Sequence, residues 1–388
     1  MSPNFDDTAI AFRYRSNAAL KKANFLFSSM GSPLLTKVGM GFTSFAMKWG
    51  LPVKGLIKST IFNQFCGGET MDEAAKTAAA ISKFGVQVIL DYSVEGKEEE
   101  ADFDHAAEEF IKAIDFAAAH PGIPFISVKV TGFARFSLLE QLHAGKELSA
   151  AEQQELSRVR QRIDRICSRA FDKKIMVLID AEETWIQGPV DELAEAMMAR
   201  YNRTQAIIFN TYQLYCHDRF EHLKVTYPKA LQGGYILGAK LVRGAYMEKE
   251  RRRAEELGYP SPIQPDKEST DRDYDAAVQF CLERLERVSV FIGTHNESSC
   301  AKAASWMDRH DVPPAHPHVW FSQLYGMSDN ISFNLAAAGY HVAKYLPYGP
   351  VKDVVPYLMR RAQENTSVAG QTGRELSLIK KEMKRRKL

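Results

Sequence analysis

The sequence has no apolar run of the roughly 18 residues that a membrane-spanning helix requires. It has no CxxC pair. Its five cysteines, Cys66, Cys167, Cys216, Cys281 and Cys300, are scattered and odd in number. That predicts reduced thiols in a cytosol-like compartment, with no disulfide framework. His316 and His318 flank a proline and Cys216 precedes His217, but neither pair has partners at metal-ligand spacing, so no metal site is expected. Gly39-Met40-Gly41 lacks the third glycine of a dinucleotide fingerprint and follows no strand pattern, which argues against a nicotinamide-type Rossmann site. There is no GxxxxGK[ST] phosphate loop and no GxSxG nucleophile elbow. A net charge of +2 gives no general attraction for nucleic acid. The first residues, MSPNFDDTAIAFRYRSN, lack an apolar core and carry two early aspartates, so they read as neither a signal peptide nor a good transit peptide.

What is present is an ordinary globular balance, 45% hydrophobic and 25% charged, over a length sufficient for one large domain or two to three small ones. Residues 1–80 show no convincing strand. Helical spacing at 17–27, 33–48 and 71–83 predicts a helical arm. Residues 34–65 mix apolar side chains with Lys37, Lys48, Lys54 and Lys58. This stretch is read as an arm packed on the main domain, with a basic surface that touches a membrane as the alternative. From Gly85 onward short apolar runs alternate with helical segments. Strands are predicted at 86–92, 125–130, 175–180, 206–210, 239–243, 289–292, 318–322 and 341–346. Helices are predicted at 103–120, 150–171, 191–201, 213–225, 271–287, 298–308, 330–338 and 350–365. Eight even units of this kind predict a (β/α)8 barrel over 81–365, with a doubly wound open sheet as the runner-up. Residues 366–388 end in KKEMKRRKL and read as a basic helix or a frayed end, either drawn to anionic lipid or simply solvated.

The chemistry of such a barrel sits where its strands end. Those positions hold Asp91 and Tyr92; Lys129; Asp180 and Glu182; Asn210 to Gln213; Arg243; Thr294, His295 and Asn296; Gln323 and Leu324; and Tyr345. Lys129 and Lys240 are charged residues inside strands, where each must find a partner or lose its proton. In the final predicted helix Tyr357, Arg360, Arg361 and Glu364 stand at i, i+3, i+4 and i+7 and share a face. Paired arginines beside a tyrosine suit a carboxylate or phosphate, although an exposed charged helix face has the same spacing.

Five motifs occur in order: LIDAEETW (178–185), KLVRGAYMEKER (240–251), GTHN (293–296), QLYGMSD (323–329) and YLMRRAQENTS (357–367). Together they resemble the proline dehydrogenase family over roughly residues 80–370, in its monofunctional form. The resemblance implies a distorted (β/α)8 barrel, non-covalent FAD, oxidation of L-proline to Δ1-pyrroline-5-carboxylate and delivery of electrons to a membrane quinone. It implies that Arg360, Arg361 and Lys129 hold the substrate carboxylate and that Glu364 holds an arginine in place. Leu324, Tyr345 and Tyr357 would pack the pyrrolidine ring. Asp180 would be linked to the Lys129 region. The flavin would contact Asp180, Ala181, Gln213, Lys240, Val242, Gly244, Ala245, Tyr246, Thr294, His295 and Asn296. Lys240 stands where many bacterial members have arginine, which keeps the charge and loses the planar fork. Lys240, with Arg243, would favour a reduced anionic flavin, and Gly244 and Gly293 would let main chain approach the cofactor.

Tyr345 against the ring predicts proline in preference to hydroxyproline. The alternatives are a hydroxyproline dehydrogenase; a flavin-free aldolase or isomerase using Lys129 or Lys240 as Schiff-base or proton-transfer group; and a membrane-associated scaffold without activity. The expected location is the cytoplasm or the periphery of the inner membrane, with the mitochondrial matrix as the alternative. Oligomeric state is left open.

Overall fold

Apolar runs that bury both faces become strands of a parallel sheet. The computed structural model places them at β1 Val86–Tyr92, β2 Phe125–Val128, β3 Met176–Ile179, β4 Ile208–Gln213, β5 Leu237–Val242, β6 Val288–Gly293, β7 Val319–Leu324 and β8 Val342–Tyr348. In that order they form a closed barrel. The structure describes residues 3–30, 54–92, 98–367 and 371–388, with the side chains of residues 54, 56, 362–367 and 371–372 outside the described set. The expected helix over 33–48 lies outside the described residues, as does most of the basic stretch that begins at 34.

The helices are α1 Asn17–Met30, α2 Met71–Ser82, α3 Glu100–Ala118, α4 Phe136–His143, α5 Ala150–Lys173, α6 Thr184–Tyr201, α7 Arg219–Gly233, α8 Met247–Leu257, α9 Lys267–Leu282, α10 Glu297–Arg309, α11 Asp329–Ala337, α12 Val351–Ser367 and α13 Gln371–Arg385. Helical turns also run from Lys54–Ile57 to Asn63–Phe65. Among the described residues no helix is long and apolar enough to cross a membrane. The chain forms two compact units, Met1–Ser93 with Gln323–Leu388, and Val94–Ser322.

In the unit Val94–Ser322, β2 and β3 stop one residue before Lys129 and Asp180, while β4 runs on to Gln213. The β4–β5 ladder continues through Thr211↔Lys240 and Gln213↔Val242. Polar residues extend these strands because hydrogen bonding, not side-chain polarity, decides where a ladder ends. Below those ends the barrel is plugged by rings. Phe125 of β2 meets Phe291 of β6 at 5.1 Å between centroids, and Phe209 of β4 meets Phe291 at 6.4 Å. Contributions from alternate strands form one layer, as barrel packing requires. Trp320 closes on Phe125 edge-to-face at 4.7 Å.

Helix α6 begins seven residues ahead of the predicted 191, with Pro189 inside it. Its first free amide, Thr184 N, donates to the Glu250 carboxylate at 2.7 Å, which anchors the helix start ahead of the proline. On the outside, arginines of α5 zip onto acids of α3. Arg158 pairs with Glu100 at 2.9 Å, Arg162 with Asp104 at 2.7 Å and Arg169 with Asp115 at 2.7 Å, and Arg165 pairs with Glu108. Their spacing of three and four puts them on one helix face. Exposed pairs each contribute at most about 1 kcal/mol, but the Arg162 side chain is buried and also donates to Phe133 O at 3.3 Å.

In the other unit a helical core gathers Phe12, Phe27, Phe62 and Phe65 with Val354, Leu358, Leu378 and Ile379. The basic tail is helix α13, docked on this core. Arg386 donates to the carbonyls of Phe12 and Arg15, each at 2.8 Å, and Lys381 donates to Asp6 O at 2.7 Å. Beneath it lies a buried charge cluster. Lys344, fully buried on β8, pairs with Asp329 at 2.9 Å, and Arg15 pairs with the same carboxylate at 2.9 Å. Tyr14 adds a hydroxyl to Asp329 at 2.7 Å. Burial opposes ionisation of Asp329, yet Lys344 and Arg15 outweigh it and hold the carboxyl below the usual range.

Helix α13 contributes Glu375 to this cluster, where it accepts from Ser328 N. Burial, reinforced by Asp329, pushes the Glu375 carboxyl up to about 7; Ser328 N, Lys344 and Arg15 oppose the rise. An unfolded glutamate titrates near about 4.3. Because the folded value is the higher one, the group costs nothing below the unfolded value and destabilises progressively as pH rises toward the folded value. Glu375→Gln is therefore expected to raise Tm relative to the parent at about pH 8 and not at about pH 4. Thermal melts of both proteins across this range check it, and parallel Tm profiles would refute the assignment.

Candidate active site

Lys240 lies in mid-β5 with its side chain only 7% exposed. A desolvated ammonium needs a counter-charge, and Asp180, just past β3, supplies it at 2.5 Å. The pair reaches across β4, so both side chains lie on the inner side of the barrel wall. Gln213, the last residue of β4, has both ends of its amide engaged. Nε2 donates to Glu182 O at 2.7 Å, and Oε1 accepts from Ala245 N at 3.2 Å. It thus ties the loop after β3 to the loop after β5.

Glu182 is the centre of a second buried network. Its carboxylate accepts from Thr131 N at 3.1 Å and Thr131 Oγ1 at 2.5 Å. Its own amide donates to Gln187 Oε1 at 3.0 Å, and Gln187 Nε2 donates to Asp191 at 2.8 Å. Burial pushes the Glu182 carboxyl up to about 7, opposed by the charge of Lys129 and the bonds from Thr131. Lys129 begins the turn Val130–Gly132 that carries Thr131, so Glu182 fixes the stretch bearing this lysine.

The segment after β5 exposes main chain. Gly244 has φ of +147°, and a Cβ there would sit 2.4 Å from the Tyr215 ring, so only glycine fits. Gly244 and Ala245 are exposed, and Val242 and Tyr246 are half-buried. Helix α8 holds this segment through the Glu250 carboxylate, which also accepts from Thr184 Oγ1 at 2.7 Å. After β6, Asn296 Oδ1 caps α10 through Ser298 N at 2.9 Å and Ser299 N at 3.2 Å, while Asn296 N donates to Thr294 Oγ1 at 3.1 Å. His295 is half-buried and Ala181 buried. Gly293 answers a packing need: a Cβ would lie 3.0 Å from Leu241 O of the neighbouring strand.

In the other unit the wall residues gather. Leu324 packs against the core cluster that includes Tyr357. Tyr325 N donates to Tyr345 O at 2.8 Å, and Lys344 Nζ donates to Leu324 O at 3.3 Å. The Arg361 guanidinium lies 5.0 Å over the Tyr357 ring, the neighbour that i,i+4 spacing supplies. Arg361 is buried at 8% exposure and Arg360 half-buried. The side chain of Glu364 lies outside the described residues.

Thr131, Lys344 and Arg15 were not singled out from sequence. Lys344 had a readable signal, a charge set in the apolar strand VAKYLPY. Thr131 and Arg15 had none.

The residues at the ends of β3 to β6 fit a flavin. A neutralised lysine donor, a fixed amide, a hydroxyl, an imidazole and a run of accessible main chain stand in or just past four successive strands, the mixture of donors and acceptors that a polar aromatic ring and its phosphate-bearing tail require. Among the described residues no group of His, Cys, Asp and Glu is placed to hold a metal.

Comparison with known proteins supports the same direction. The chain is 34% identical over 333 residues to the carbapenem antibiotics biosynthesis protein CarD of Pectobacterium carotovorum, covering 86% of each. It is 31% identical to mitochondrial proline dehydrogenase 1 of Dictyostelium discoideum, over 89% of this chain and 68% of that one. It is 30% identical to hydroxyproline dehydrogenase of Xenopus laevis, over 99% and 90%. The solved structure of proline utilization A from Bdellovibrio bacteriovorus superposes with a TM-score of 0.75 at 20% identity, over 97% of this chain and 40% of that one, a likeness of fold. The family model described as proline dehydrogenase matches residues 74–374, and the chain belongs to the proline dehydrogenase family.

Proposed function

We propose that the protein oxidises L-proline to Δ1-pyrroline-5-carboxylate with a non-covalently bound FAD and passes the electrons to a membrane quinone. The family match over residues 74–374 carries this reading. FAD, when bound, supplies the acceptor for the hydride that leaves the ring carbon beside the nitrogen.

The chain's residues bind, orient and enclose. Arg360 and Arg361, with Lys129, take the substrate carboxylate. The burial of Arg361 and its stacking on Tyr357 support a pre-set guanidinium, which loses little freedom on binding. Glu364 is assigned to hold an arginine. Leu324, Tyr345 and Tyr357 form the apolar walls that exclude water and keep the ring flat. Asp180, Ala181, Gln213, Lys240, Val242, Gly244, Ala245, Tyr246, Thr294, His295 and Asn296 take the cofactor. Since Asp180 balances its charge, Lys240 is read as an oriented hydrogen-bond donor more than as a source of net positive field. Delivery to a quinone places the protein at a membrane surface, in the cytoplasm or, as in its mitochondrial relatives, an organelle.

A second reading, hydroxyproline oxidation, is favoured by the Xenopus relative, which aligns with 99% of this chain. The proline reading takes the half-buried Tyr345 phenol to crowd a 4-hydroxyl: kcat/KM for proline is expected to exceed that for 4-hydroxyproline by about tenfold or more, as pocket discrimination of small groups allows. Comparable values would favour the second reading.

The purified protein is expected to show a flavin absorbance spectrum that bleaches when proline is added without an acceptor. A colourless protein that forms a borohydride-trapped lysine adduct would instead establish the flavin-free barrel chemistry. Arg361→Met is expected to raise KM for proline by about a hundredfold, from a lost charge-assisted bond and the partner it leaves exposed. An unchanged KM in steady-state kinetics removes Arg361 from the carboxylate site.

A further inference from the structure

Arg243 follows β5 directly, and its guanidinium meets three other pieces of the fold. Nε donates to Asp271 Oδ1 of α9 at 2.6 Å, Nη1 to Thr294 Oγ1 beyond β6 at 2.7 Å, and Nη2 to Ser299 Oγ of α10 at 3.0 Å. Its Cζ lies 4.2 Å from the centroid of the Tyr274 ring. Each acceptor is itself held. Asp271 also accepts from Lys267. Ser299 Oγ donates to Asp275 at 2.6 Å, and Lys302 braces the other Asp275 oxygen at 2.6 Å.

This arrangement limits what Arg243 can do by charge. Burial opposes ionisation of Asp271, but hydrogen bonds from Lys267 and Arg243 outweigh it and keep the carboxyl below its usual range. The guanidinium therefore faces a full counter-charge as well as a ring face. Its planar fork is what the site uses, because three donors at fixed angles reach three elements together. Lysine, with one ammonium on a flexible stem, cannot make that set of bonds.

The element that gains most is Thr294. Its hydroxyl oxygen accepts from Arg243 and from Asn296 N, which occupies both lone pairs, and the side chain also hydrogen-bonds Tyr274. Thr294 N is fixed in turn by Ser322 O at 3.0 Å. The segment Thr294 to Asn296 is thus pinned by Arg243 to the exposed main chain that begins at Gly244.

We propose that Arg243 is a positioning residue for the cofactor: its fork locks the exit of β5 to the segment after β6, so that both are set before FAD arrives. The inference rests on the FAD reading of the preceding section. A pre-set site loses less freedom on binding, so its removal is felt as weaker cofactor affinity.

Apoprotein titrated with FAD, followed by quenching of flavin fluorescence, tests this, with circular dichroism as the check on folding. Arg243→Lys and Thr294→Val are each expected to lower FAD affinity about tenfold, and the double variant to lose no more than either single one, because both break one coupled contact. Thr294→Ser keeps the accepting oxygen and is expected to bind as the parent does. Full affinity in Arg243→Lys would show that charge alone suffices and overturns the proposal. So would additive losses, or equal losses in Thr294→Ser and Thr294→Val. Should Arg243→Lys fail to fold, Ser299→Ala decides: it removes one acceptor of the fork outside the cofactor contacts and is expected to lower FAD affinity, and full affinity there overturns the proposal. A parent protein that binds no FAD fails the cofactor reading itself, an outcome separate from all of these.

Discussion

A lysine on the inside of a barrel wall must be neutralised, and Lys240 is neutralised by Asp180 at 2.5 Å. Removing one partner of a buried ion pair costs about 3–5 kcal/mol, since the other charge is left stranded. The pair therefore constrains everything near it. It fixes the end of β3 against mid-β5, and Gln213 repeats the tie one layer further out by joining Glu182 O to Ala245 N. The ring plug of Phe125, Phe209 and Phe291 closes the barrel beneath, which leaves the strand ends as the place where polar groups can face a ligand.

Much of this was legible in the chain. Eight apolar runs gave the barrel because a strand buried on both faces has nowhere to place polar residues until its end. Where polar residues continue the ladder, the pattern misled: β4 runs to Gln213 and not to 210. Helix α8, MEKERRRAEEL, is nearly all charged and offers no apolar stripe, so it went unread; the Glu250 carboxylate buried beneath Thr184 anchors it. The first turns of α6, ahead of Pro189, also went unread. The candidate residues were readable singly, from their positions at strand ends. Their pairings were not, because Lys240 and Asp180 lie 60 residues apart and Gln213 and Glu182 lie 31 apart. Nothing local in a sequence records which distant carboxylate a lysine will meet.

The relatives divide among proline oxidation, hydroxyproline oxidation and antibiotic biosynthesis in their names, on what sequence similarity marks as one scaffold. Fold leaves that choice open. In the proposed reading it falls to the few side chains that wall the substrate, Leu324, Tyr345 and Tyr357. Two of them are set by what lies behind them: Lys344 donates to the Leu324 carbonyl, and the Tyr345 carbonyl holds the amide of Tyr325. In that reading, the buried cluster around Lys344 bears on the substrate wall through the Leu324 carbonyl.

The docked position of α13 has one more consequence. Arg386 fills the carbonyls of Phe12 and Arg15, and Arg374 pairs with Asp6 at 2.8 Å. The segment 374–386 is thus stitched to the segment 6–15. Removing Arg386 would bare the main-chain oxygens of Phe12 and Arg15, so damage inflicted in one segment would be registered in another 374 and 371 positions away in the chain.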